Sequence, residues 1–252
     1  MRPGLRRLSP GAPQLTALDP ANPLYAEKRA VLEAGLSRQV LPGFDCTPAL
    51  AAIAAEAGAG RWNAQAPTPL ELAFEEDFAV LDGATGTLPW LCVCVPSHWA
   101  PEDKLGLDFV ALHQPVADHA ALIAASQQLV ALATSGERWE RFVWTVSPSA
   151  RYDQHPRRHP RTSWPATDDP QAFARQCWLR TERQTFLPVG GGTRQAVFTI
   201  RVMLQPLVEA VRSPGSARRL HDSLASMSQA VLDYKNLSGA RVPLLRWLES
   251  QA

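Results

Sequence analysis

The chain has 252 residues, enough for one large domain or two small ones, and its 46% hydrophobic and 19% charged content is ordinary for a folded chain with a real core. A net charge of +1 supplies no field for nucleic acid or an anionic lipid surface, so both partner classes are set aside. No stretch is long and apolar enough to cross a bilayer, and the first 18 residues lack the apolar region of a signal peptide, so a reducing cytoplasm is expected.

Residues 1–22 are polar and Pro-rich and read as a loose leader to a single domain over 23–252. A helix is expected from about Leu24 to Gly35. Thr47-Pro48 reads as an N-cap with Pro at the first helical position, opening an Ala-rich helix that Gly58 and Gly60 end. Phe78, Val80 and Leu81 then form a strand, Asp82-Gly83 a turn, and the apolar run 88–95 a second strand of a hairpin. Cys92 and Cys94 fall in that run on one face, and with Cys46 and Cys177 they form no CxxC pair, so buried free thiols are expected.

The polar segment Pro96-Ser97-His98-Trp99 follows, then the apolar stretch from Phe109 to His113, a helix over 118–134 and a strand over 141–147. The loop 148–170 gathers Arg151, His155, Arg157, Arg158, His159 and Arg161, and reads as solvated and flexible. Two strands, 177–186 and 196–204, flank Gly190-Gly191-Gly192. Leu220, Leu224, Met227 and Val231 make an amphipathic stripe, and a short helix over 242–248 ends the chain. The class is α+β, with helices around mostly antiparallel strands.

Folding the late hairpin about the midpoint between Gly191 and Gly192 sets Glu182 opposite Arg201 and Gln184 opposite Thr199. Arg180, Glu182 and Gln184 then share one face by alternation. That face is either a solvated surface with a weak cross-strand ion pair or a polar pocket in which a carboxylate holds a cation. The triple glycine lacks the spacing and strand–turn–helix setting of a dinucleotide site, and no GxSxG elbow is present. His113, at the end of an apolar segment, suits either a satisfied core position or an imidazole aimed into a cavity.

Several segments in order resemble one known family. They are Glu76-Asp77-Phe78, Pro96-Ser97-His98-Trp99 with Lys104-Leu105-Gly106, and Leu112-His113-Gln114-Pro115-Val116. Next come Leu179-Arg180-Thr181-Glu182-Arg183-Gln184-Thr185, Val197-Phe198-Thr199-Ile200-Arg201 and the late Tyr234-Lys235. From about residue 24 to 248 the chain resembles the haem-dependent oxidative N-demethylase-like family, which includes the haem subunit of dimethylamine monooxygenase. It departs from the family pattern at Val143 and at Ala117-Asp118.

The resemblance implies a PAS-like antiparallel sheet flanked by helices and carrying a b-type haem. It implies His113 as the axial ligand of the iron, and Glu182 and Arg201 beside a small amine. Arg141, Arg180 and Arg183, with Arg201, are the cations available to the haem propionates. The implied reaction is O₂-dependent N-demethylation releasing formaldehyde. Electrons come from a separate flavin and iron–sulfur reductase, and a folate-binding subunit captures the product. A haem-binding sensor and a haem-free interaction subunit are the alternative readings of the same fold.

Overall fold

The computed structural model describes residues 4–117 and 120–252. The starts of α1 (Pro23–Glu33) and α7 (Pro170–Arg175) are set by a short polar cap followed by Pro. In α1 the Asn22 side chain accepts from the Leu24 amide, and in α7 Asp169 does the same for Gln171. α2 (Thr47–Ala57) begins one residue earlier than the sequence suggests. Thr47 is its first helical residue, Cys46 occupies the cap, and Asp45 accepts from the Thr47 amide at 2.9 Å.

Among the described residues seven strands form one sheet. They are β1 (Arg6–Arg7), β2 (Arg38–Val40), β3 (Glu76–Asp82), β4 (Trp90–Cys92), β5 (Trp139–Ser147), β6 (Trp178–Pro188) and β7 (Gln195–Pro206). Their order is β1-β5-β6-β7-β3-β4-β2, and every described pairing is antiparallel. The remaining helices are α3 (Leu70–Ala73), α4 (Phe109–His113), α5 (Ala120–Ala124), α6 (Ser126–Ala133), α8 (Leu207–Ala210), α9 (Pro214–Ala225), α10 (Gln229–Tyr234) and α11 (Arg241–Ser250). The result is the expected α+β class, a PAS-like open sheet flanked by helices. The helix expected over 118–134 is α5 and α6 in its described part, and residues 118 and 119 lie outside the described residues.

Residues directly opposite one another share a face, and neighbours along a strand alternate. One face therefore carries Arg141, Glu182, Gln184, Phe186, Phe198 and Ile200. The other carries Phe142, Arg183, Thr185, Thr199, Arg201, Phe78 and Val80. α2 covers the second face at one end, burying Ile53 against Phe78, Val80 and Val197. Helices α7 to α11 cover it at the other, where Trp247, Leu244 and Leu224 pack with Val146 and Leu207. Each fully buried aliphatic or aromatic side chain there stabilises the fold by roughly 1.5–3 kcal/mol. On the first face α1 buries Leu24 and Val31 against Ile200 and Val202. The fully buried Lys28 ties α1 to β3 through Asp77 at 3.0 Å and the carbonyls of Phe74 and Glu76.

Three readings change. The strand expected over 88–95 is assigned only over Trp90–Cys92: the Val93 amide still bonds to the Ser37 carbonyl opposite it, but the Val95 amide is taken by the Asp77 side chain at 2.8 Å instead of a strand carbonyl. Cys92 and Cys94 consequently join different core clusters instead of one face. The basic loop is pinned, not solvated: Asp153, Gln154 and His155 are buried, and Glu27 accepts from the amides of Tyr152 and Asp153. Residues 4–22, read as loose, bury Leu8, Gln14 and Leu18, and β1 pairs with β5. Among the described residues no helix is long and apolar enough to cross a membrane.

Candidate functional site

Between the first sheet face and α4–α6 lies a cavity of about 110 Å³. Its walls are apolar, built from Leu81, Phe186 and Phe198 of the sheet, Leu112, Leu122 and Leu129 of the helices, and Leu5 ahead of β1. Among the described residues two polar side chains reach it, His113 and Arg141.

His113 is the last residue of α4, whose start is fixed by Asp108 accepting from the Ala111 amide at 2.8 Å. Its Nδ1 lies 2.7 Å from the Phe109 carbonyl, and its ring rests on the Phe109 ring with centroids 4.1 Å apart. A carbonyl can only accept, so Nδ1 carries the proton and the lone pair is left on Nε2. Burial pushes the His113 pKa down. The Phe109 carbonyl opposes this, and the Arg141 and Lys104 cations push it further down. A neutral imidazole with its second nitrogen anchored to a backbone carbonyl is the arrangement that suits metal ligation.

Arg141 projects from β5 on the same face and donates from Nε to Gln184 Oε1 at 2.6 Å. Burial works against its charge, while Glu182 and Tyr234 support it. Gln184 donates in turn to Glu182 Oε2 at 2.6 Å, and the other oxygen of Glu182 accepts a short bond from Ser97. Arg180 lies 1% exposed behind Ser97. Its Nε donates to Ser97 Oγ at 2.7 Å, and its terminal nitrogens to the Tyr152 carbonyl at 2.9 Å and the Val95 carbonyl at 3.1 Å. At the edge of β5 left open beyond β1, Lys235 donates to the Trp144 carbonyl at 2.8 Å. Burial lowers its pKa, and Glu182 acts in the opposite sense.

The structure thus brings His113, Arg141, Glu182 and Arg180 to one face but sends Arg183 and Arg201 to the other. Arg183 Nε donates to Glu140 at 3.1 Å, and Arg201 Nε to Glu75 at 2.6 Å. The expected hairpin register is off by one: Glu182 faces Val202, and Arg183 faces Arg201. The cause is the turn. The Val189 amide bonds to the Gln195 carbonyl, which leaves five residues between them instead of an even number, with all three glycines at positive φ. A one-residue slip moves a side chain to the opposite face.

Ser97 is the site residue that spacing arguments missed. It sits 85 residues from Glu182, and the signal available was its place in the polar Pro96-Ser97-His98-Trp99 segment.

A family model described as haem-dependent oxidative N-demethylase, alpha subunit-like, matches residues 59–245. The chain belongs to this family. The match covers α3 through the first half of α11 and includes His113, Arg141, Glu182 and Ser97. The family description carries haem dependence and an oxidative N-demethylase-like function.

The residues at the cavity fit a haem in kind: an anchored neutral imidazole, apolar walls for a macrocycle, and an arginine suited to a carboxylate. The cavity is smaller than the roughly 300–1,000 Å³ of typical cofactor sites. Its outer wall is lightly held, since α4 buries no residue and α5 only Leu122.

Proposed function

We propose that the chain holds a b-type haem through His113 and oxidatively N-demethylates a small secondary amine, with O₂ as oxidant and electrons from a separate flavin and iron–sulfur reductase. When bound, the haem supplies the oxygen chemistry. His113 offers the Nε2 lone pair, and the Phe109 carbonyl keeps the ring from turning. Arg141 is the cation beside the cavity and takes a propionate. Leu112, Leu122, Phe186 and Phe198 exclude water.

Glu182 receives the substrate. A secondary amine is an ammonium ion near neutral pH, and a partly buried carboxylate binds it and orients its methyl groups. The product decomposes to the shorter amine and formaldehyde, which a folate-binding partner subunit captures. The domain that does this, in the cytoplasm, is the span 23–252 joined by the N-terminal residues whose β1 pairs with β5 and whose Leu5 lines the cavity.

The observation that carries this reading is the shared sheet face. Arg141 at the cavity is linked through Gln184 to a carboxylate that already has donors on both oxygens. The cavity's small volume is the observation favouring a second reading, a haem-free interaction subunit of the same fold. Titration of the haem-reconstituted protein with dimethylammonium, followed by the Soret shift, tests the first. Glu182→Gln is expected to keep its haem and lose amine affinity about tenfold or more. Loss of haem in Glu182→Gln, or unchanged amine affinity, would remove Glu182 from the substrate site.

A further inference from the structure

Arginine has N–H donors and no acceptor. That fact fixes the direction of every hydrogen bond on both sides of Glu182. On one side Arg180 donates to Ser97 Oγ, so the single hydroxyl proton of Ser97 is free to go to Glu182 Oε1. On the other, Arg141 donates to Gln184 Oε1. The amide is thereby held with its NH₂ group toward Glu182 Oε2, an orientation that an unconstrained glutamine would not keep. Glu182 is the acceptor at which two donor chains meet, each starting at a guanidinium.

We propose that Ser97 and Gln184 are positioning residues that hold the Glu182 carboxylate as an oriented anion with one lone pair on each oxygen left for a cationic N–H donor. This rests on the reading of Glu182 as the amine's partner. Both intermediaries are neutral, so the arginine charges stay one residue away and no guanidinium occupies the place the ammonium needs. The ligand class that fits is a protonated secondary or primary amine. A quaternary ammonium, which has no N–H, loses the hydrogen bonds that select it.

The positions follow from the fold. Gln184 and Glu182 are two apart on β6 and so share a face. Ser97 is brought over them by its parallel bridge to Gln154 of the pinned loop. Gln184 is 7% exposed, so water does not freely take its place beside Glu182.

The test has two arms on full-length protein. In the first, carboxyl-¹³C-labelled glutamate is followed by NMR against pH without haem or amine, with the Glu182 signal assigned by its loss in Glu182→Gln. Removing a donor to the charged form raises its proton affinity. Ser97→Ala and Gln184→Met should each move the Glu182 midpoint up by about one unit, tenfold in proton binding, and Ser97→Thr should restore it. In the second arm, dimethylammonium affinity of the haem-loaded variants should fall about tenfold with haem content unchanged.

Midpoints that stay where they are in both Ser97→Ala and Gln184→Met overturn the proposal, whatever the amine does. Shifted midpoints in a protein that binds no amine uphold the positioning and reject the substrate reading instead.

Discussion

Replacing Arg180 by Met removes a charge that the interior is built around. The side chain is 1% exposed. It donates at 2.7 Å to Ser97, at 2.9 Å to the Tyr152 carbonyl and at 3.1 Å to the Val95 carbonyl. Hydrogen bonds to a charged group contribute roughly 1.5–3 kcal/mol each, so three represent about 4.5–9 kcal/mol before desolvation. Burying a guanidinium costs several kcal/mol, and Met returns that part. The two carbonyls are then left without their donor in the interior, so the net loss should be about 3–5 kcal/mol, a large share of a typical 5–15 kcal/mol.

Urea unfolding followed by tryptophan fluorescence measures the loss. Limited trypsin digestion reports whether the loop 151–161, rich in Arg, has been released. A loss under about 1 kcal/mol with the loop still resistant would refute the claim that Arg180 pins Ser97 and this loop.

Three further outcomes follow from the geometry. Arg201→Gln should leave haem content and amine affinity unchanged, because Arg201 pairs with Glu75 on the sheet face away from the cavity; a tenfold fall in affinity would refute the observed register. Burial and the cations of Arg161 and Arg180 push the His98 pKa down to about 4. The unfolded chain therefore takes up this proton first, and stability falls as pH drops from about 6.5 toward about 4. His98→Asn, which suits the backbone φ of 59°, should lose less Tm than wild type between pH 7 and pH 5, and equal losses would refute the assignment. Finally, haem addition should slow amide exchange in α4 and α5, since the lightly held wall must move outward and then pack on the ligand. Unchanged exchange in a haem-loaded sample would contradict that movement.

What could be read from the sequence was what local patterning controls. β5, β6 and β7 were legible as strands and α1 and α2 as helices, whereas α7 was not read although Asp169-Pro170 is a polar cap followed by Pro. The parity of the Gly190-Gly191-Gly192 turn was not. Three glycines permit many turn geometries, and one residue of difference decided whether Glu182 or Arg183 faces Arg201.

The pinned loop was illegible for another reason. Its partners are distant: Glu27 for Tyr152 and Asp153, Glu102 for His155, and the Cys94 carbonyl for Arg158. A run of basic residues and histidines looks solvated until the acids and carbonyls that meet it are known. Of the candidate site, the face shared by Arg180, Glu182 and Gln184 was visible from alternation. The link from Glu182 to Ser97 required the fold.

The central claim, that His113 holds a haem, is tested most directly by the absorbance spectrum of the reconstituted protein after gel filtration, compared with His113→Ala. His113 is half-buried and its ring rests on Phe109, so the substitution should cost the fold about 1 kcal/mol, small enough to leave it folded. A Soret band that elutes with wild type and is lost or shifted in His113→Ala is the predicted result. No band in wild type, or the same band and affinity in His113→Ala, would contradict the haem assignment.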